Sequence, residues 1–127
     1  MPAERVKLKL NGDTVIAECS GRAKEIRLPK EVAASIATSP WMLRLVESLC
    51  SDSKFRKRLT SSGALESLFL LIYAMSEGLP PYRAAKLLGV SHERLYRLRR
   101  GLEKDGLYAQ VKAFIEINAN MRKRASA

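Results

Sequence analysis

The feature that most limits this chain is a change of apolar period at Leu28-Pro29. Before it, apolar residues tend to recur at every second position; after it, at every third or fourth. Val6, Leu8 and Leu10 alternate with Lys7 and Lys9. A strand with one buried face requires that pattern, because successive side chains leave a sheet on opposite sides. Asn11-Gly12-Asp13 follows, and Asn and Gly both accept the positive φ of a hairpin turn. Thr14, Val15 and Ile16 are β-branched and open a second strand that runs to Cys19 and pairs back on the first. Ser20-Gly21-Arg22 is a second turn, and Lys24 to Leu28 is a third strand with Ile26 and Leu28 on one face. The expectation is a three-stranded antiparallel meander. A sheet this small needs helices packed on its apolar face.

Beyond Leu28 the pattern is helical. Pro29 suits a first helical turn, where its missing N–H costs nothing, and Val32, Ala33, Ile36 and Ala37 form a short stripe. Ser39-Pro40 reads as a capping hydroxyl followed by Pro at the first helical position. Trp41, Leu43, Leu45, Val46 and Leu49 then give a broad buried face through Cys50. Asp52 can cap a short helix that holds Phe55 and Leu59 inward and carries Lys54, Arg56, Lys57 and Arg58 on its other faces. Ser61-Ser62-Gly63 breaks that helix. From Leu65 to Met75 the next one is apolar nearly all round, which marks the centre of the helical part. Glu77-Gly78 closes it. The fold class is therefore α+β: residues 1–60 supply the meander and short helices, residues 61–127 the larger helical region, in one unit.

Residues 81–100 carry the most specific pattern. Ala84, Ala85 and Leu88 face inward on a short helix; Gly89 follows its end, where a left-handed residue is wanted. Val90 fills the corner, Ser91 is a good N-cap, Glu93 lies in the first turn of the next helix, and Leu95, Leu98 and Leu102 face inward. Small residues at 84 and 85 let two helices cross closely.

The small residue Ala85, Gly89 four later, Val90 beside it, and apolar Leu95 and Leu98 resemble the helix-turn-helix family of DNA-binding proteins, here in its tri-helical form over residues 62–106. The first 60 residues match no family pattern beyond a short phrase, Leu28-Pro29-Lys30-Glu31-Val32, similar to swapped-hairpin DNA-binding domains. The resemblance implies that the second helix, 92–103, enters the major groove of double-stranded DNA. Ser91, His92, Glu93, Tyr96 and Arg97 would then face base edges, with Arg97 able to make a bidentate contact to guanine. Tyr82, Arg83, Arg94, Arg99, Arg100 and Lys104 would meet phosphate.

Charge supports that expectation. The 127 residues hold 23 Lys and Arg against 13 Asp and Glu, a balance of +10. Half of it falls between Leu79 and Lys104, where there are seven basic and two acidic residues. Small domains this basic usually meet a polyanion. One histidine and two cysteines cannot build a His/Cys metal cage, and no nucleophile–base pair, carboxylate pair or phosphate loop is visible. No catalysis, metal or cofactor is expected. The longest apolar run, Ala64 to Met75, is far short of the roughly 20 residues of a membrane span, and the N-terminus has no secretion-signal pattern. A cytoplasmic, nucleoid-associated protein with two reduced thiols, Cys19 and Cys50, follows as the expectation.

The end of the chain admits two readings. Leu107 to Ile117 has apolar residues at every odd position, but no Gly, Asn or Pro to turn a hairpin wing. Leu107, Val111, Phe114, Ile115, Asn118 and Met121 follow a helical stripe instead, so a final helix over 106–122 is expected, suited to a homodimer. The overall expectation is a dimeric transcriptional regulator. Two alternatives stand beside it. One is a single-stranded DNA or RNA binder that uses Lys7, Lys9, Lys24 and Arg27 of the sheet with aromatics such as Trp41. The other is a protein-interaction module built on the last helix.

Overall fold

A computed structural model describes residues 6–19, 21–59 and 62–126. Three strands, β1 (Lys7–Asn11), β2 (Thr14–Cys19) and β3 (Arg22–Arg27), form an antiparallel sheet in the order β1-β2-β3. Leu10 pairs with Val15 and Val15 with Ile26, so the register aligns one apolar face across the sheet. Leu8, Val15, Ala17, Ile26 and Leu28 are buried there. The opposite face is a charge mosaic: Lys7 stands opposite Glu18, and Lys9 and Glu25 flank Ile16.

Six α-helices follow: α1 (Lys30–Thr38), α2 (Trp41–Cys50), α3 (Ser62–Ser76), α4 (Pro81–Leu88), α5 (His92–Lys104) and α6 (Tyr108–Ser126), with a 3₁₀ helix at Phe55–Leu59. The fold is α+β. Helix α3 touches β3, α1, α2, the 3₁₀ helix, α4, α5 and α6. That is the packing its sequence demands. Leu68, Phe69 and Ile72 are wholly buried and Leu65 and Tyr73 nearly so; burying each such side chain is worth about 1.5–3 kcal/mol, and one helix face could not have sheltered them all. A single apolar cluster runs from Leu8 of the sheet to Ile115 of α6.

Local details depart from the sequence reading in several places. Pro29 precedes the first helix rather than opening it: its backbone is extended, φ −56° and ψ 148°, and its carbonyl accepts the Ala33 N–H. Ala37 is exposed, and Ser35 is buried in its stead, its hydroxyl 3.6 Å from Met42 Sδ. Pro40 has helical dihedrals, and the Ser39 carbonyl accepts the Met42 N–H. Asp52 caps as its position suggested, Oδ1 accepting from the Lys54 and Phe55 N–H groups at 3.0 and 2.9 Å; the helix it starts is 3₁₀. Residues 106–122 form no wing, since α6 is a single helix. Cys50 is buried, whereas the side chains of Cys19 and Met121 lie outside the described residues, as do Ser20 and Ser61. Among the described residues no helix is long and apolar enough to cross a membrane.

Candidate nucleic-acid interface

The corner between α4 and α5 is built by its backbone. Gly89 has φ 70° and ψ 31°, the left-handed region that L side chains adopt only at a cost. The Gly89 and Val90 N–H groups both return to the Ala85 carbonyl, which ends α4 sharply. Ser91 is extended at the N-cap of α5, but its side chain makes no capping bond, so only its backbone serves the turn. Ala84 and Ala85 are buried, and α4 and α5 both lean on α3. The three helices thus fix the orientation of α5 without help from its outer face.

That outer face follows from the helix period. Leu95, Leu98 and Leu102 are buried, with Gly101 beside them. At about 100° per residue, Glu93, Arg97, Arg100 and Lys104 then form one ridge pointing away from the core, and all four are exposed. Ser91, His92 and Arg94 are exposed as well, and Tyr96 is half-buried. The His92 and Tyr96 rings meet edge-on, with centroids 6.1 Å apart, which stiffens the N-terminal end of the ridge. On α4, Tyr82 and Arg83 are exposed in the first turn.

The two flanks of α5 differ. Toward α6, Arg99 is held in place: its Nε donates to Glu103 Oε1 at 3.3 Å, and its guanidinium lies 5.1 Å from the centre of the Tyr108 ring. The expected phosphate contact by Arg99 is therefore not one made by a free side chain; this arginine joins α5 to α6. It also lines a half-open cavity of about 460 Å³ with Tyr96, Tyr108, Leu71, Met75 and Leu79.

Toward the 3₁₀ helix, a second half-open cavity of about 460 Å³ is lined by Arg58, Arg94, Arg97, Ser67, Gly63 and Leu98 among others. Arg58 also reaches across to Asp105, 47 residues away in sequence. Its Nε and Nη2 donate to the two oxygens of Asp105 at 2.9 and 3.1 Å, a bidentate pair. The Arg58 hydrogen bond holds the Asp105 carboxyl below the usual carboxylate range, against the opposing effect of desolvation, and Lys54 and Lys104 add to the lowering. The stem of Arg58 crosses α5 at Gly101, where an added Cβ would stand 2.8 Å from its Cδ. Glycine costs about 1 kcal/mol in mid-helix relative to alanine, and here its absent side chain makes room for the arginine.

On the sequence Arg58 belongs with Lys54, Arg56 and Lys57 on the outer faces of a short helix. The structure removes Arg58 from that group and brings it beside Arg94 and Arg97. The legible sign was Gly101, an interior helical glycine with no turn to make.

Other expected elements fall elsewhere. Trp41, Phe69 and Tyr73 are buried, so none offers an open ring on which a base stacks. On α6, Val111 and Ile115 are buried in this chain's own core; among the described residues of that helix the exposed large apolar side chains are Phe114 and Ile117. Phe114 packs edge-on against Trp41 at 6.0 Å. No group of three His, Cys, Asp or Glu among the described residues could hold a metal ion. No known family model, curated protein or solved structure matches this chain.

Proposed function

We propose that the chain binds double-stranded DNA sequence-specifically, as a transcriptional regulator, with α5 in the major groove. The observation that carries this reading is the ridge Glu93, Arg97, Arg100 and Lys104: exposed, three-quarters basic, and backed by a helix whose other face is fixed in the core. Among the described residues Arg97, Arg100 and Lys104 make no ion pair with an acid of the chain, so their charge is available to a polyanion. The local excess of basic residues between Leu79 and Lys104 supplies the field that draws DNA in.

From Glu93 to Lys104 the ridge is about 16 Å long at 1.5 Å per residue. A straight helix leaves the curving groove over such a span, so its two ends meet different groups. Ser91, His92, Glu93, Tyr96 and Arg97 stand at the end that reaches base edges. Arg100 and Lys104 lie where the helix departs and phosphate is nearer, and Tyr82 and Arg83 would meet the backbone strand that α4 crosses. The regulator acts as a homodimer in this proposal. The contact rests on Phe114 and Ile117, because Val111 and Ile115 are already used inside one chain.

Selection from random duplexes with the purified protein tests the reading. A motif with two-fold symmetry is expected. Arg97→Ala should relax preference at one base position, a contact worth about 1–3 kcal/mol of discrimination, while Lys104→Ala weakens all duplexes alike. Equal, uniform losses from both changes, or the absence of any enriched motif, would refute it.

A further inference from the structure

We infer that the cavity between the 3₁₀ helix, the start of α3 and α5 is a phosphate seat, and that in the DNA complex it holds one backbone phosphate through Arg58 and Arg94. The inference rests on the duplex-binding reading for the identity of the phosphate, and on the cavity itself for the chemistry.

Among the described residues the cavity lining contains three arginines and no carboxylate. Asp105 answers one of them, Arg58, and does so through Nε and one hydrogen of Nη2. A guanidinium has five N–H donors in a fixed plane, so the remaining edge of Arg58 is both oriented and unspent by that pair. Arg94 and Arg97 have no ion pair among the described residues. Like charges gathered this way repel one another until an anion joins them, and a planar, bidentate donor suits phosphate oxygens in particular. The first turn of α3 forms part of the wall, so the positive end of a 15-residue helix adds to the same field. One side of the cavity is open, which admits a phosphate still joined to its chain.

Position argues for the DNA backbone. Three residues along a helix is a rotation of about 60° in the return direction, so Arg94 lies that much farther toward the 3₁₀ helix than Arg97. Arg97, on the outward ridge, therefore stands at the lip of the seat, and Arg94 and Arg58 stand within. Tyr82 and Arg83 lie on α4, whose first turn borders the cavity on the other flank of α5. A helix inserted in the groove with basic groups on both flanks meets one phosphate strand on each side. Lys54, just before the 3₁₀ helix, and Lys57 on it are both exposed and extend the second flank. This assigns to the 3₁₀ segment a role in binding that its sequence left undecided.

Two variants and two readouts test the seat: Arg94→Gln, at a residue with no ion-pair partner among the described residues, and Arg58→Lys, which keeps the charge but loses the fork. Duplex affinity is measured over a salt series, and inorganic phosphate is titrated while the arginine Nε–H signals are followed by NMR. Arg94→Gln should reduce the slope of log K against log salt by about 0.9, and weaken every duplex about tenfold at fixed salt, without changing the preferred sequence. Arg58→Lys should weaken duplex binding in the same sequence-independent way. Wild-type slope and affinity in both variants would overturn the seat and leave the duplex reading standing. A wild-type protein with no duplex affinity at low salt would overturn the duplex reading instead. In that case phosphate-induced shifts of the Arg58 and Arg94 signals, lost in Arg94→Gln, would support the seat as an oxyanion site, and no shifts would overturn it too.

Discussion

Substitutions at Gly89 isolate the cost of the α4–α5 corner. The residue sits at φ 70°, and a Cβ built there meets nothing within 4 Å. An added Cβ thus causes no clash, and the penalty for alanine is backbone strain. An L residue in the left-handed region costs about 1–2 kcal/mol. Replacing glycine also restricts the unfolded chain, which returns about 0.4–1 kcal/mol. Gly89→Ala should then destabilise by about 1 kcal/mol. Gly89→Val should cost about 2 kcal/mol or more, because β-branching makes positive φ harder still. Gly89→Asn should stay within about 0.5 kcal/mol, since asparagine tolerates this region. For a chain of this size each kcal/mol moves the melting temperature by roughly 3–5 °C, so the three variants should separate by thermal denaturation in the order Asn, Ala, Val. A Val variant that melts with the wild type, or an Asn variant less stable than Val, would refute the reasoning. Either result would mean that residue 89 is not left-handed.

Two further outcomes follow from side-chain contacts within the fold. The lowered titration of Asp105 means that its pair with Arg58 contributes fully above the ordinary carboxylate value of about 3.9, and that the contribution fades as pH falls through the depressed native value. The gap in melting temperature between wild type and Asp105→Asn should stay constant from pH 8 to pH 5 and close only below about pH 4; closure between pH 8 and 6 would contradict the assignment. On α6, Ile115→Asp should unfold the monomer, since it places an unpaired charge among core side chains at a cost of several kcal/mol, whereas Ile117→Asp should leave the fold intact. Sedimentation of the Ile117 variant then tests assembly: a dimer insensitive to this change would remove α6 from the interface.

The elements themselves were legible in the sequence because each rests on local chemistry. Alternation about Leu8 and Ile26 sets the sheet; apolar residues all round α3 make it central; Gly89 is placed by one backbone conformation that few residues adopt. The ridge on α5 was legible for the same reason, since Leu95, Leu98 and Leu102 fix which residues must face out. Exposure of Ala37 was not, because helical spacing alone does not say how far a neighbouring element reaches. Nor was the sharing-out of the arginines. Arg58, Arg94, Arg97 and Arg99 are alike as sequence, yet Arg99 lies against Tyr108 while Arg58 crosses Gly101 to Asp105. What each cation does depends on which carboxylate or ring the chain brings within about 3–5 Å of it, and a pairing across 47 residues is decided by how α5 packs beside the 3₁₀ helix.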